Sequence, residues 1–391
     1  MLKFDFSSYN NYKCDNINLV NLKNQMMKDN KYLDWYDLNV DIDVIEQYAS
    51  YIRENADIFI VIGIGGSYIG AKAVIDSLNK YKSDKTEIIF IGYDLSSDYF
   101  DYLLKKINGK SVYVNVISKS GETKETIFTF NIILDYLKAN YIDYKDRIII
   151  TTVPNNNYLH LLAQREKFKL LNVSNNISGR YSVLTNIGLL PISVAGINIS
   201  EIIKGAKDLK SNIDVCYKYV YLRNNMYDNN INVESFDIYD SRLYYFTEWL
   251  KQLFAESQGK NKKGIFPVST LNPRDLHSIE QYYEDGKEKF FSTVIYNDSK
   301  ADIFINNDLT LNRFNEIVME SVCSSRFKNQ MNSIIIYLDT INEYNIGYLI
   351  FFFEVSACLG SYLMGVNYYD QPGVNSYKDL INKELSNNST N

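Results

Sequence analysis

Two turns rich in glycine and hydroxyl side chains carry the strongest chemical signal in this chain. Gly63-Ile-Gly-Gly-Ser67 follows the apolar run Ile58-Phe-Ile-Val-Ile62, and Ser118-Lys-Ser-Gly-Glu-Thr123 follows Val112-Tyr-Val-Asn-Val-Ile117. Each reads as the turn from a buried strand into a helix. Glycines let the main chain come close to an anion. The first unbonded N–H groups of a helix suit phosphate oxygens, and so do Ser67 in one turn and Ser118, Ser120 and Thr123 in the other. In a parallel sheet both turns fall outside the carboxyl ends of strands, where ligands sit. Neither common nucleotide loop fits. A dinucleotide fingerprint counted from Gly63 and Gly65 needs glycine at Tyr68, and a P-loop counted from Gly65 needs lysine at Ala71. The competing reading is a tight ligand-free turn in the first case and ordinary Ser/Thr capping in the second.

Other residues suit acid–base or charge-stabilising work. A helix around 246–256 buries Trp249, Leu250, Leu253 and Phe254 and leaves Glu248, Gln252 and Glu256 spaced by four on one stripe, ahead of Gly259. Glu256, at the helix end, is a candidate general base if it faces a cleft; otherwise the stripe is solvated. His277 lies in a loop, Asp275-Leu-His-Ser278, after Pro273. Arg180, in Ser178-Gly-Arg-Tyr-Ser182, and Lys378, after Asp370-Gln-Pro-Gly373, are cations beside turn glycines. Taken singly, each is an ordinary surface charge.

The elements that must position these residues alternate. A polar, Asn- and Lys-rich segment, 1–45, with Trp35, Tyr36 and Leu38 as anchors, reads as a cap. A helix at 44–55 then leads to strands at 57–62, Glu87–Ile91, Val112–Ile117 and 147–152, with helices at 71–78 and 126–137. This is the βαβ pattern of a parallel sheet covered by helices. After a Gly-rich turn at 178–180 and the stretch 188–196, the pattern resumes. Strands are expected at Val233–Ile238, 265–268, 290–295 and Ser333–Leu338, and helices near 241–256, 311–325 and 346–364. The expected α/β domains are 46–195 and 196–378, with a tail at 379–391 that frays from Glu384.

At 391 residues two domains are the prior, and 46% apolar with 23% charged residues is an ordinary globular composition. A net charge of −6 without a long basic run argues against a nucleic-acid partner. Cys14, Cys216, Cys323 and Cys358 are scattered, and the chain does not open on a signal peptide, so a reducing cytoplasm is expected. His160 and His277 are the only histidines, so no metal cluster is expected. The apolar run 346–364 is long enough to span a bilayer, yet it carries Glu354 and lacks flanking cations, so it reads as a buried core helix.

Five blocks then share one pattern: Gly63 to Gly70, Ser118 to Thr123, Ser178 to Ser182, Gln252-Leu-Phe-Ala-Glu-Ser-Gln-Gly-Lys260, and Gly365 through Asp370-Gln-Pro-Gly373 to Lys378. In this order, from about Tyr32 to Lys378, they resemble glucose-6-phosphate isomerase in its compact bacterial form. The resemblance implies two sugar-isomerase (SIS) α/β domains, each a parallel sheet flanked by helices, with an N-terminal cap and a C-terminal helical part. It implies reversible conversion of glucose 6-phosphate to fructose 6-phosphate through a cis-enediol, in glycolysis and gluconeogenesis, with no cofactor or metal. Ser67, Ser118, Ser120 and Thr123 would hold the phosphate, with Gly66 and Lys119 also in the substrate-binding set. Glu256 would carry the proton between C2 and C1, with Gln252 and Gln371 lining the pocket. Arg180 would stabilise the enediolate, and His277 with Lys378 would open the sugar ring. The histidine would come from the neighbouring subunit of a homodimer. Two positions depart from the family pattern: Glu122 stands where Thr is usual, and Glu280 where a small residue is common. Glu122 would repel phosphate unless it points outward or Lys124 offsets it. Glu280, three residues after His277, either raises the histidine's pKa or faces water. The alternative of another class is a sugar-phosphate-binding regulator without catalysis. The joint presence of Arg180, Glu256, His277 and Lys378 argues against it. Mannose 6-phosphate remains open as a second substrate.

Overall fold

Strands with unbroken β-branched runs need cover on both faces, and this protein supplies it with two parallel sheets wrapped in helices. The structure, a computed structural model, describes residues 2–9, 16–28, 30–81, 86–298 and 301–388. Strand β1 (Leu2–Asp5) and helices α1 (Asn16–Lys28) and α2 (Ile42–Asn55) precede the first sheet. That sheet comprises β2 (Ile58–Ile62), β3 (Glu87–Ile91), β4 (Val112–Ile117), β5 (Ile148–Thr152) and β6 (Lys169–Asn172), ordered β3-β2-β4-β5-β6 and parallel throughout. Every residue of β2, β4 and β5 is buried. Helices α3 (Ile69–Asn79), α4 (Ser97–Ile107), α5 (Lys124–Asn140) and α6 (Tyr158–Glu166) make the crossovers.

Three helices lead to the second sheet: α7 (Asn186–Val194), α8 (Ile199–Ser211) and α9 (Asp214–Asp228). The stretch 188–196, for which no element is expected from the sequence, is largely α7, a helix buried along nearly its whole length with Pro191 inside it. Strand β7 (Val233–Ile238) is followed by α10 (Tyr244–Gln258), β8 (Phe266–Leu271), α11 (Glu280–Asp285) and β9 (Phe291–Asn297). A small hairpin, β10 (Phe304–Asn306) with β11 (Leu309–Thr310), opens α12 (Leu311–Lys328), and β12 (Ser333–Leu338) completes the parallel part of the sheet. The order is β8-β7-β9-β12-β1, so the first residues of the chain form its antiparallel edge, with Leu2 opposite Leu338. The N-terminal segment is therefore more than a cap.

Helix α13 (Glu343–Leu363) is buried on nearly all sides against α8, α9 and α10. It is long and apolar enough to cross a membrane, and most of it lies inside the protein. Helix α14 (Asn375–Asn388) keeps Glu384 to Asn388 helical where fraying was expected. Cys216, Cys323 and Cys358 are free thiols, and Cys14 lies outside the described residues.

The α8–α13 contact depends on two glycines that bring the backbones together. A Cβ on Gly205 would lie 2.0 Å from the Tyr344 carbonyl oxygen, and one on Gly347 would lie 1.9 Å from that of Ile202. No side-chain rotation relieves a clash with backbone, so Gly347→Ala is expected to lower stability by about 1–3 kcal/mol in urea unfolding. An unchanged midpoint would show that the two helices part freely.

Candidate active site

In the first sheet the strand order reverses between β2 and β4, and both hydroxyl-bearing turns leave the carboxyl ends of those two strands. They are in contact, since a Cβ on Gly63 would stand 3.3 Å from the Ile117 carbonyl oxygen. In the second turn, Ser118 Oγ lies 2.9 Å from Thr123 Oγ1, and Ser120 Oγ lies 3.4 Å from each. The Gly121 and Glu122 N–H groups donate to Ser118 and Ser120, which aligns the turn. Thr123 occupies the N-cap position of α5 without capping it through its side chain. The three hydroxyls therefore converge at the positive end of a long helix.

The first turn carries the neighbouring side of the site through its backbone. Gly66 lies flat on the Gly179–Arg180 peptide: an added Cβ would fall 2.1 Å from Gly179 C and 2.7 Å from Arg180 N. Only glycine permits this approach. Ser182 Oγ donates to the Gly66 carbonyl at 3.3 Å, and Trp249 Nε1 donates to that of Arg180 at 3.2 Å. The Arg180 side chain is consequently fixed, and it is fully buried. It donates to Ser257 Oγ (2.8 Å), to Glu256 Oε2 (3.0 Å) and to the carbonyls of Tyr368 and Asp370.

Glu256 sits near the end of α10, on the polar stripe left by the buried Trp249, Leu250, Leu253 and Phe254. It is partly exposed and accepts from Arg180, from Gln252 Nε2 at 3.1 Å, and from Gln371 Nε2. Three donors around one carboxylate match its acceptor-only chemistry. Glu248, on the same stripe, pairs with Lys251 instead.

Lys119 donates to Tyr369 Oη (2.6 Å) and to the Asn175 carbonyl (3.1 Å). Burial, and then the charge of Arg180, push its pKa down to about 8. Tyr369 also stacks on Tyr32 at 3.8 Å, which joins the N-terminal segment to the site. Sequence reading assigned no role to Lys260, which bonds Asp370 at 3.0 Å and the Asn367 carbonyl and whose pKa is lowered by burial. It stands at the end of the quoted Gln252–Lys260 block, which is where a signal lay. Ser257 and Tyr369, within or beside quoted blocks, were likewise unassigned.

The structure therefore brings Arg180, Gln252, Glu256 and Gln371 into one bonded cluster, beside Gly66, Ser67, Lys119 and the Ser118, Ser120 and Thr123 hydroxyls. Lys378 is exposed on α14 and lines a cavity of about 700 Å³ with Ser120, Glu122, Thr123 and Lys124. Glu122 is exposed there, and among the described residues no hydrogen bond or ion pair holds its carboxylate. His277 is not brought to the cluster. It lies exposed on the 3₁₀ turn Arg274–His277 after β8, and its ring makes no hydrogen bond among the described residues. Glu280 neither pairs with His277 nor faces open water: it forks onto Arg326 at 2.9 and 2.7 Å. Among the described residues no group of three or more His, Cys, Asp or Glu is arranged for a metal ion. Chemically, the cluster offers a carboxylate to move a proton and a fixed cation to stabilise an oxyanion, beside an anion cradle.

Comparison with known proteins identifies the family. The family profile described as phosphoglucose isomerase matches residues 17–267. Glucose-6-phosphate isomerase of Fusobacterium nucleatum is 38% identical over 392 aligned positions, covering 91% of this chain and 87% of that protein. The enzyme of the same name from Clostridioides difficile is 36% identical, covering 96% and 94%. Among solved structures, a hypothetical protein from Thermus thermophilus matches with a TM-score of 0.91 at 24% identity, over 98% of this chain and 100% of that one. A glucose-6-phosphate isomerase from Chlamydia trachomatis matches at 0.80 and 16%, over 99% and 89%; both likenesses concern the fold. A profile match over more than half the chain, with relatives at 36% and 38% identity along nearly all of it, means that the chain belongs to the phosphoglucose isomerase family.

Proposed function

We propose that the protein interconverts glucose 6-phosphate and fructose 6-phosphate by proton transfer through a cis-enediol. The observation that carries this reading is Glu256 held 3.0 Å from the buried Arg180 guanidinium, next to the three-hydroxyl turn. The substrate phosphate binds Ser118, Ser120, Thr123 and the α5 N-terminus, with Ser67 and Gly66 from the first turn and the Lys119 charge beside them. The sugar carbons then reach toward Glu256. Its carboxylate takes the proton from C2 of the aldose and returns it to C1, while Gln252 and Gln371 keep the carboxylate oriented. Negative charge that develops on the enediolate meets the guanidinium of Arg180. A binding protein without catalysis has no use for that pairing.

His277, exposed and without a side-chain partner among the described residues, suits a site completed by a neighbouring subunit of a homodimer, where it opens the sugar ring with Lys378. The first domain spans 46–195 and the second 196–378, and the setting is cytoplasmic glycolysis and gluconeogenesis. No cofactor takes part.

Isomerisation of fructose 6-phosphate in heavy water, followed by NMR, should place deuterium at C2 of the glucose 6-phosphate formed. Glu256→Gln should slow that reaction by about 10²–10⁴-fold while phosphate-ligand binding is kept. Turnover near wild type would remove Glu256 from the base role. His277→Ala subunits, slowed in ring opening, mixed with Glu256→Gln subunits, slowed in proton transfer, should recover activity if the site is shared, and verified mixed dimers without recovery would refute sharing. Lys119 is cationic well below pH 8 and loses its charge as pH rises through about 8. KM for the sugar phosphate should therefore rise on the alkaline side, and Lys119→Met should raise KM at neutral pH and flatten that rise.

A further inference from the structure

The turn that carries His277 is fastened far more firmly than an exposed loop requires. On one side, Asp275 Oδ2 accepts from the Leu271 N–H at 2.8 Å, and Arg274 forks onto Asp275 at 2.7 and 2.9 Å. The Asp275 carbonyl accepts from the N–H groups of Ser278 (3.1 Å) and Ile279 (3.0 Å). On the other side, Glu280 opens α11 and receives Arg326 Nε and Nη2. Arg326 is 1% exposed and comes from α12; its remaining Nη1 goes to Asp237, wholly buried in β7. Asp237 in turn accepts from Thr270 at 2.7 Å and from Ser235. Tyr283, one turn further along α11, is buried against Phe290 with ring centroids 4.0 Å apart, and its hydroxyl donates to Ser235. Between these two anchors the His277 ring is turned to solvent and makes no hydrogen bond among the described residues.

We infer that Glu280 is a positioning residue for His277, and that the Arg326 fork sets where the turn presents the imidazole. This rests on the reading above in which His277 opens the sugar ring. A buried arginine held by two carboxylates is expensive to desolvate and rigid once paired, so the charge cluster fixes α11 relative to β7 and α12. Glu280 does not touch His277; it acts through the two intervening residues, Ser278 and Ile279. Removing it leaves Arg326 still paired with Asp237, so the core keeps a compensated charge and the chain folds. Arg326 offers no such clean test, because its loss would strand Asp237.

The test separates ring opening from proton transfer. Fructose 6-phosphate closes its ring through the 5-hydroxyl. 5-Deoxyfructose 6-phosphate lacks that hydroxyl and has its 6-oxygen esterified, so its ketone stays open. Full-length Glu280→Ala should lose roughly 10- to 100-fold in kcat/KM with fructose 6-phosphate, the cost of a misplaced group. In heavy water its exchange of the C1 proton of 5-deoxyfructose 6-phosphate should remain within about twofold of wild type. Glu280→Gln, which keeps an acceptor for Arg326, should fall between the two. Adding Glu280→Ala to His277→Ala should cost nothing further, because the two act through one group. Equal losses on both substrates, no loss on either, or additive losses in the double variant would each overturn the assignment. A wild-type protein that neither isomerises nor exchanges would instead overturn the parent reading.

Discussion

A guanidinium with no exposure must have its N–H groups answered inside the protein, and meeting that demand for Arg180 assembles the site. Its acceptors come from α10, as Glu256 and Ser257, and from the loop after α13, as the carbonyls of Tyr368 and Asp370. Its own backbone is seated on Gly66 and held by Trp249. Segments that lie far apart in the chain are thereby made to converge on one cation. The carboxylate proposed to move the proton is one of its ligands, so the group that stabilises negative charge and the group that creates it are positioned by the same contact. Preorganisation of this kind lowers the reorganisation needed when charge develops.

The two sheets share a winding order, with the first strand of each flanked by the second and third. Only the first unit carries the glycine and hydroxyl turns at its point of reversal. The second contributes α10, the crossover from its first to its second strand, which packs against α3, the equivalent crossover of the first unit. That helix contact places Gln252 and Glu256 against the first turn: a Cβ on Gly65 would lie 3.0 Å from Gln252 Nε2. Neither sheet alone presents both an anion cradle and a base.

Elements whose pattern is local were legible in the sequence. Glu87–Ile91, Val112–Ile117, Val233–Ile238 and Ser333–Leu338 are strands to the residue, because unbroken apolar runs bounded by polar turns leave little choice. Helix α8 had a readable stripe, Ile199, Ile202, Ile203, Ala206 and Leu209, behind the cap Asn198, yet it went unassigned. Helix α7 has no readable stripe, being buried nearly all round, and Gly188 and Pro191 inside it weaken any helix signal. The site residues stood out by type and spacing, whereas their partners did not. That Glu280 answers Arg326 and that β1 closes the second sheet are facts of tertiary contact between distant positions. His277 illustrates the limit: its loop was visible, but nothing in the neighbouring residues says what its imidazole faces.

Strand β1 imposes an order on how the molecule is made. Its hydrogen-bond partner is β12, so β1 must wait for a strand synthesised long after it before the two can pair. The first sheet, from Ile58 to Asn172, is contiguous and can close while the remainder is still being synthesised. The second cannot be finished until β12 has been made, and closing so long a loop is slow. Because α10 belongs to that later half, the proposed anion cradle can form during synthesis before the proposed base is in place. A nascent chain would thus acquire the capacity to bind ahead of the capacity to catalyse.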